Sequence, residues 1–412
     1  IRSGTYTSTS WRGEITTVQN ASASARVIFQ SESGNPADVV INVPGTSSDN
    51  YIVKFNKANH VTFKNLTFVN TNTSYGRIFD FASTSSEDSI VNCSLTGATS
   101  TTSSTTGELA IVYSNQYTGS NVVFYKNVFN NGAMWVRWYG TGSSSWATGG
   151  KFIENTFNMT NSGYYGTYMY YHSNTKFLKN TFNYTGTGVF YGLYTYYGEN
   201  GMDFAENTFN MNSTSTLYPF YLYYTNYYAS TSGFNGNGPT IRKNIINTTN
   251  TSGTTVGMYT YYCHYMTVTD NIFNCNSTTG AIQLQGPLYY CRESRAEGNT
   301  FNFTASSSGG ISNTSGCLYT GGNTWPDTVQ KNIFNLKTAG GTIDWYTVYY
   351  GGNTGSTMNN NELNFTNTTG SSYCRIQYAM GAEFTKNKIK MNSTSGLMYG
   401  MYLHGTTSHA GA

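Results

Sequence analysis

The chain has 412 residues, of which 10% are charged and 16% aromatic, with a formal net charge of +3. No run of Lys or Arg gives the footprint of a nucleic-acid or anionic-membrane partner, and no apolar stretch reaches the eighteen or so residues of a membrane span. Abundant Tyr, Phe, Ile and Val argue against disorder, and scarce Ala, Leu, Glu and Lys against helices, which leaves strands joined by turns.

Residues 1–60 read as strands and turns of irregular spacing, and "IRSGTYTSTSW" lacks the basic start and apolar middle of a signal peptide. From residue 61 to 405 an Asn-x-Phe/Ile/Leu unit recurs. Its Asn residues are Asn127, Asn155, Asn180, Asn207, Asn244, Asn271, Asn299, Asn332, Asn361 and Asn387, with weaker upstream matches at Asn65 and Cys93. A period of about 27 residues is too short for tetratricopeptide or propeller repeats and lacks the leucine spacing of leucine-rich repeats. It predicts an all-β parallel β-helix, a solenoid of roughly twelve coils forming one domain over 1–412. Longer steps mark insertions near 226–240 and 305–328, rich in Gly, Ser and Asn.

Within each coil the apolar residue two places after the Asn is expected to point inward and stack on its equivalents. The Asn is assigned to the bend itself, where it tolerates left-handed backbone angles and forms a hydrogen-bonded ladder with its neighbours. The second half of the coil reads "GTYMYY", "GLYTYY", "PFYLYY" and "GMYTYY". Strand alternation places Thr167, Met169, Leu193, Thr195, Phe220, Leu222, Met258 and Thr260 on one face. Tyr168, Tyr170, Tyr194, Tyr196, Tyr221, Tyr223, Tyr259 and Tyr261 fall on the other, and phenols are more easily satisfied outside. Two exterior tyrosine ladders follow, which serve either as cross-strand stacking or as a surface for sugars or another subunit.

Paired carboxylates for glycoside hydrolysis are absent from any short segment, so no catalytic residue is assigned. The remaining candidates for lyase or hydrolase chemistry are Arg292, Glu293 and Arg295 in "CRESR" and Asp344 in "TIDW". His60, His172, His264, His404 and His409 show no metal spacing, and no metal or cofactor site is assigned. Cys263 and Cys291 each lie eight residues before their coil's Asn, which brings them within reach of a disulfide between adjacent coils; free buried thiols are the other reading. Sequons occur at Asn65, Asn158, Asn183 and Asn392 among others.

The stretches "SARVIFQSESGNPADVVIN" and "NYIVKFNKANHVTFKNLTFVNTNTSYGRIFDF", followed by repeated Tyr-rich strands, resemble the right-handed parallel β-helix proteins secreted or displayed by Bacteroidota. "Asp-Ser-Ile" at Asp88 and "Asp-Thr-Val" at Asp327 are similar to the O-glycosylation sites of that group. The resemblance implies an extracellular or cell-surface protein of structural or adhesive type; surface glycans or other copies of the chain are the partners the tyrosine ladders would take. A polysaccharide lyase or glycoside hydrolase and a carbohydrate-binding module are the alternatives. No helix is read at either end of the repeat, so the expected cover for the terminal coils is another copy stacked head to tail into a filament, with domains outside this sequence as the rival.

Overall fold

The computed structural model describes residues 1–8, 12–99, 107–142, 145–160, 163–227, 237–306, 309–313, 315–319, 326–349, 355–377 and 381–404. Most of the insertion expected at 226–240, parts of that at 305–328, and the tail with His409 lie outside these residues. The fold is an all-β parallel β-solenoid of about twelve turns, near 28 residues each, with three parallel sheets. A 3-10 turn at Pro36–Asp38 is the helical element among the described residues. The chain packs as two compact units, Ile1–Gly198 and Glu199–Ala412.

One coil of the first unit shows the plan. Lys151–Ile153 lies in sheet I, Thr156–Met159 in sheet II and Tyr165–Ser173 in sheet III, after which Lys176–Leu178 returns to sheet I. Each strand pairs in register with its equivalent one coil on, Phe152 with Phe177 and Phe157 with Phe182. In-register parallel pairing stacks identical side chains, so the core is a set of columns. Phe152 and Phe177 have ring centroids 4.6 Å apart, and Phe157 and Phe182 4.7 Å. In the second unit Phe273, Phe301 and Phe334 stack at 4.8 and 4.9 Å. The first coils join the same scheme, with Gly13–Ile15 in sheet III pairing Val53–Asn56.

The corner between sheets I and II differs from expectation by one residue. The left-handed backbone falls on the residue before the Asn, with φ of 56° at Lys126, 53° at Glu154, 56° at Lys179 and 53° at Lys243. The Asn that follows points inward, and Asn155 and Asn271 are 1% and 0% exposed. A charged side chain occupies the bend because that bend faces solvent, and Lys126 and Glu154 come within 3.6 Å across adjacent coils. Upstream, the match at Asn65 shifts by one, since Asn65 takes the left-handed bend and Leu66 the inward position, whereas Cys93 follows the bend at Asn92 and is inward as aligned.

The buried Asn column is a continuous hydrogen-bond chain within each unit. Asn155 Oδ1 accepts from the Asn127 backbone N–H at 2.9 Å and from its Nδ2 at 3.0 Å, while Asn155 Nδ2 donates to the Phe124 carbonyl at 2.9 Å. Asn180 does the same for Asn155. In the second unit the chain runs from Asn207 through Asn244, Asn271, Asn299, Asn332 and Asn361 to Asn387. A second, partly exposed ladder uses the Asn three residues later: Asn183 donates to Asn158 and Asn158 to Asn130, both through Nδ2. The repeated Asn-Thr-Phe-Asn is therefore one buried amide, one buried ring and one outer amide per coil.

A shorter polar column precedes the sheet I strands. Asp327 Oδ1 accepts from the Ser294 N–H at 2.7 Å, and Asp88 Oδ1 from the Val61 N–H at 2.9 Å. Both carboxyls are fully buried, and burial pushes each up to about 7. The Asp of "Asp-Ser-Ile" and "Asp-Thr-Val" thus supports the backbone of the neighbouring coil.

Two outcomes follow. Asn271→Ala removes the side-chain partners of the buried Asn244 N–H and the buried Ile241 carbonyl, so it should destabilise by about 3 kcal/mol, whereas Asn274→Ala in the outer ladder should cost below about 1 kcal/mol; urea midpoints measure both. For Asp327 the folded-state value lies above the unfolded one, so its contribution is complete at low pH and is lost as pH rises through about 7. Asp327→Asn keeps an acceptor for Ser294 and cannot ionise. It should match the parent at pH 4 and exceed it by on the order of 2 kcal/mol at pH 8.

Candidate functional site

The outer face of sheet III gathers aromatic and charged side chains. Thr167, Met169, Leu193, Thr195, Phe220, Leu222, Met258 and Thr260 are all fully buried, and the tyrosines that alternate with them are half-buried on the opposite face. In the first unit Tyr168 stacks on Tyr194 at 5.2 Å and Tyr170 on Tyr196 at 5.0 Å, both with ring planes 5° apart. In the second unit Tyr221 stacks on Tyr259 at 4.3 Å and Tyr223 on Tyr261 at 4.9 Å.

A third tyrosine column went unassigned from sequence. Tyr171, Tyr197, Tyr224, Tyr262 and Tyr290 lie within two residues of the ends of sheet III strands in left-handed backbone, with φ between 49° and 53°. Tyr171 stacks on Tyr197 at 5.1 Å and Tyr224 on Tyr262 at 5.2 Å, and each stands nearly perpendicular to its chain neighbour, as in Tyr170 and Tyr171 at 81°. The doubled Tyr of "MYY" and "TYY" was the available signal. Strict alternation would have sent the second Tyr inward, and the bend instead turns it out.

Stacking decides what the face offers. Near-parallel rings cover one another's faces, so the columns present ring edges and the hydroxyl end of each side chain. Burial raises the phenols of Tyr168, Tyr170, Tyr194, Tyr259 and Tyr261 above their ordinary range, with neighbouring tyrosines adding to the shift at Tyr170, Tyr194 and Tyr261. They remain neutral hydroxyls that donate and accept.

In the first unit one outward column of sheet III changes character along its length. Register places Glu14 beside Lys54, Lys54 beside Asp80, Asp80 beside Tyr113, Tyr113 beside Arg137 and Arg137 beside Tyr168. Arg77 ties the charged part to the aromatic part. Its guanidinium lies 3.3 Å from the Tyr113 ring centre, its Nη1 donates to Asp80 Oδ2 at 3.2 Å, and its Nε donates to the Gly107 carbonyl at 3.0 Å. The guanidinium of Arg137 lies 5.1 Å from Tyr113 and 4.8 Å from Tyr139.

Beside this column is a polar cavity of about 250 Å³ lined by Ser47, Tyr51, Lys54, Tyr75, Arg77 and Asp80, with Ser48, Asn50 and Glu108. The Arg77 and Asp80 side chains are only 14% and 15% exposed. Burial raises the Asp80 carboxyl despite the lowering by Arg77. Lys54 is itself offset by Glu14 at 3.5 Å. The cavity therefore combines Lys54 and Arg77, the carboxyl groups of Asp80 and Glu108, and two tyrosine rings. Those are groups that hold a neutral polyhydroxylated molecule, the paired donor and acceptor serving neighbouring hydroxyls.

The charged candidates from sequence are dispersed. Arg292 and Glu293 sit at a bend, with φ of 47° at Glu293, while Arg295 lies in sheet I beside Glu297. Asp344 is in sheet III, paired with Arg375, which lies 4.6 Å from the Tyr373 ring centre and 5.1 Å from Tyr402. Sheet I and sheet III present different faces, so "CRESR" and Asp344 do not form one groove. His172 and His264 are fully buried, and desolvation lowers both to about 3. His172 Nδ1 meets Thr175 Oγ1 at 3.1 Å, a core contact.

Cys263 and Cys291 do not form the expected bridge. Both are buried free thiols, with Cys263 Sγ directed to the Leu222 carbonyl at 3.5 Å and Cys291 Sγ to the Tyr289 carbonyl at 3.6 Å. Equivalent positions in parallel strands send their side chains the same way, and each thiol bonds a main-chain carbonyl rather than its stacked neighbour. Desolvation raises Cys263 to about 11, which suppresses the thiolate.

No family model matches the chain, and no curated protein matches it. Among solved structures it is similar to the A-module of mannuronan C-5 epimerase AlgE6 from Azotobacter vinelandii, at 10% identity and a TM-score of 0.30, over 98% of this chain and 89% of that one.

Proposed function

We propose that this protein is a non-catalytic β-helical module that contacts extended glycans along the outer face of sheet III, in the secreted or surface-displayed setting its sequence resemblance implies. The observation that carries this reading is the unbroken outward column of the first unit, from Lys54 and Asp80 at the polar cavity, past Tyr113 and Arg137, to Tyr168 and Tyr194. Strand pairing sets one outward polar or aromatic side chain beside the next at the spacing of a strand, so the track runs along successive coils as an extended polymer would. The tyrosine columns supply hydroxyls rather than open faces, so their contribution is hydrogen bonding to sugar hydroxyls. The cavity is sized for a single sugar ring at one end of that track.

The test is retention by soluble polysaccharides in affinity gel electrophoresis. Tyr170→Phe with Tyr196→Phe keeps the stacked rings and removes two hydroxyls. Each net hydrogen bond is worth about 1 kcal/mol, so the pair should weaken binding roughly 10- to 30-fold with little change in unfolding midpoint. Unchanged retention would reject the hydroxyl track. Ser47→Trp, at an exposed position of the cavity wall, should fill the cavity and lower affinity for neutral oligosaccharides. Release of unsaturated or reducing ends from any polysaccharide would replace this reading with an enzymatic one.

A further inference from the structure

All six cysteines are buried and unbridged, so no disulfide joins the coils. The outer tyrosines are placed to do so by another route. Tyr221 and Tyr259 are register partners in adjacent sheet III strands, half-buried, with ring centroids 4.3 Å apart and planes 3° apart. That is closer than Tyr168 and Tyr194 at 5.2 Å or Tyr170 and Tyr196 at 5.0 Å. We propose that Tyr221 and Tyr259 are an oxidative modification site, forming a dityrosine bond that covalently joins adjacent coils when a haem peroxidase and hydrogen peroxide act on the protein.

The geometry fits the chemistry. Each phenol loses one electron and one proton to give a phenoxyl radical whose spin density includes the ring carbons next to the oxygen. Those carbons bond through p orbitals perpendicular to the ring, the direction in which the stacked partner lies. The new carbon–carbon bond forms between the two ortho carbons. Each of those carbons then loses its hydrogen as a proton, while each oxygen regains one, restoring two phenols. The pair gives up two electrons and two protons in all, and hydrogen peroxide takes them up as two molecules of water. Splaying of the linked rings needs room, which an outward, half-exposed pair has and a core pair lacks.

Register makes the product specific. In-register pairing holds Tyr221 against Tyr259 continuously in the folded chain, so coupling within the chain should outrun encounters between molecules. Such a staple constrains the unfolded state much as a disulfide does and should raise thermal stability.

The test exposes the full chain, at low concentration, to a haem peroxidase and hydrogen peroxide. Blue dityrosine fluorescence should appear without dimers on a denaturing gel, and peptide mass spectrometry should find the Tyr221 and Tyr259 peptides joined with loss of two hydrogens. Tyr259→Phe preserves a stackable ring and should abolish that peptide while leaving the fold intact by circular dichroism. The linked protein should unfold at higher temperature than the untreated one. Absence of the Tyr221–Tyr259 peptide in the folded parent, or its appearance only between chains, would overturn the proposal.

Discussion

The structure depends on how a parallel coil turns the corner between sheets I and II. Residues such as Lys126, Glu154, Lys179 and Lys243 adopt a left-handed backbone there, at roughly 1–2 kcal/mol each for a residue with a Cβ. What holds that conformation is the buried amide that follows. Its oxygen accepts from the backbone of the coil before, and its nitrogen donates to a carbonyl of that same coil. A side-chain amide does both without carrying a charge, its oxygen accepting and its nitrogen donating in one plane. Asp88 and Asp327 serve the shorter column, where each accepts from a backbone N–H of the neighbouring coil.

Because each ladder bond joins equivalent residues of neighbouring coils, the corner also fixes strand register. Everything else inherits it: phenylalanines fall on phenylalanines in sheets I and II, and tyrosines on tyrosines outside sheet III. The inward positions of these sheet III strands take Thr167, Met169, Thr195 and Leu222, and a phenol is more easily satisfied where its hydroxyl meets water, so the alternating tyrosines lie outside. Once outside and in register, they bury their faces against each other. The same stacking that stabilises the sheet converts the surface from a set of open aromatic faces into rows of hydroxyls. It also brings Tyr221 and Tyr259 into coupling distance.

The periodicity of about 27 residues and the inside–outside alternation of "GTYMYY" were readable because they depend only on local geometry, two residues per strand repeat and one coil per period. The buried amide was readable as a repeated Asn, but its position relative to the bend was not. Lys-Asn and Glu-Asn are both polar, and hydropathy cannot say which of the two turns in. Tyr171 and Tyr197 were missed for a related reason, since alternation alone cannot foresee a left-handed residue that reverses a side chain's direction.

Sequence by itself determined the repeat, the strand class and the composition of each face, because these follow from backbone period and residue type. Only the tertiary structure decided which distant residues share a site. Tyr51 and Lys54 belong to one coil and Tyr75, Arg77 and Asp80 to the next, and they meet in one cavity because register sets Lys54 beside Asp80. It likewise decided that Cys263 and Cys291, correctly spaced for adjacent coils, remain thiols. Spacing sets how near two residues come along the stack, whereas the orientation of each side chain and the carbonyl it meets set whether a bond forms.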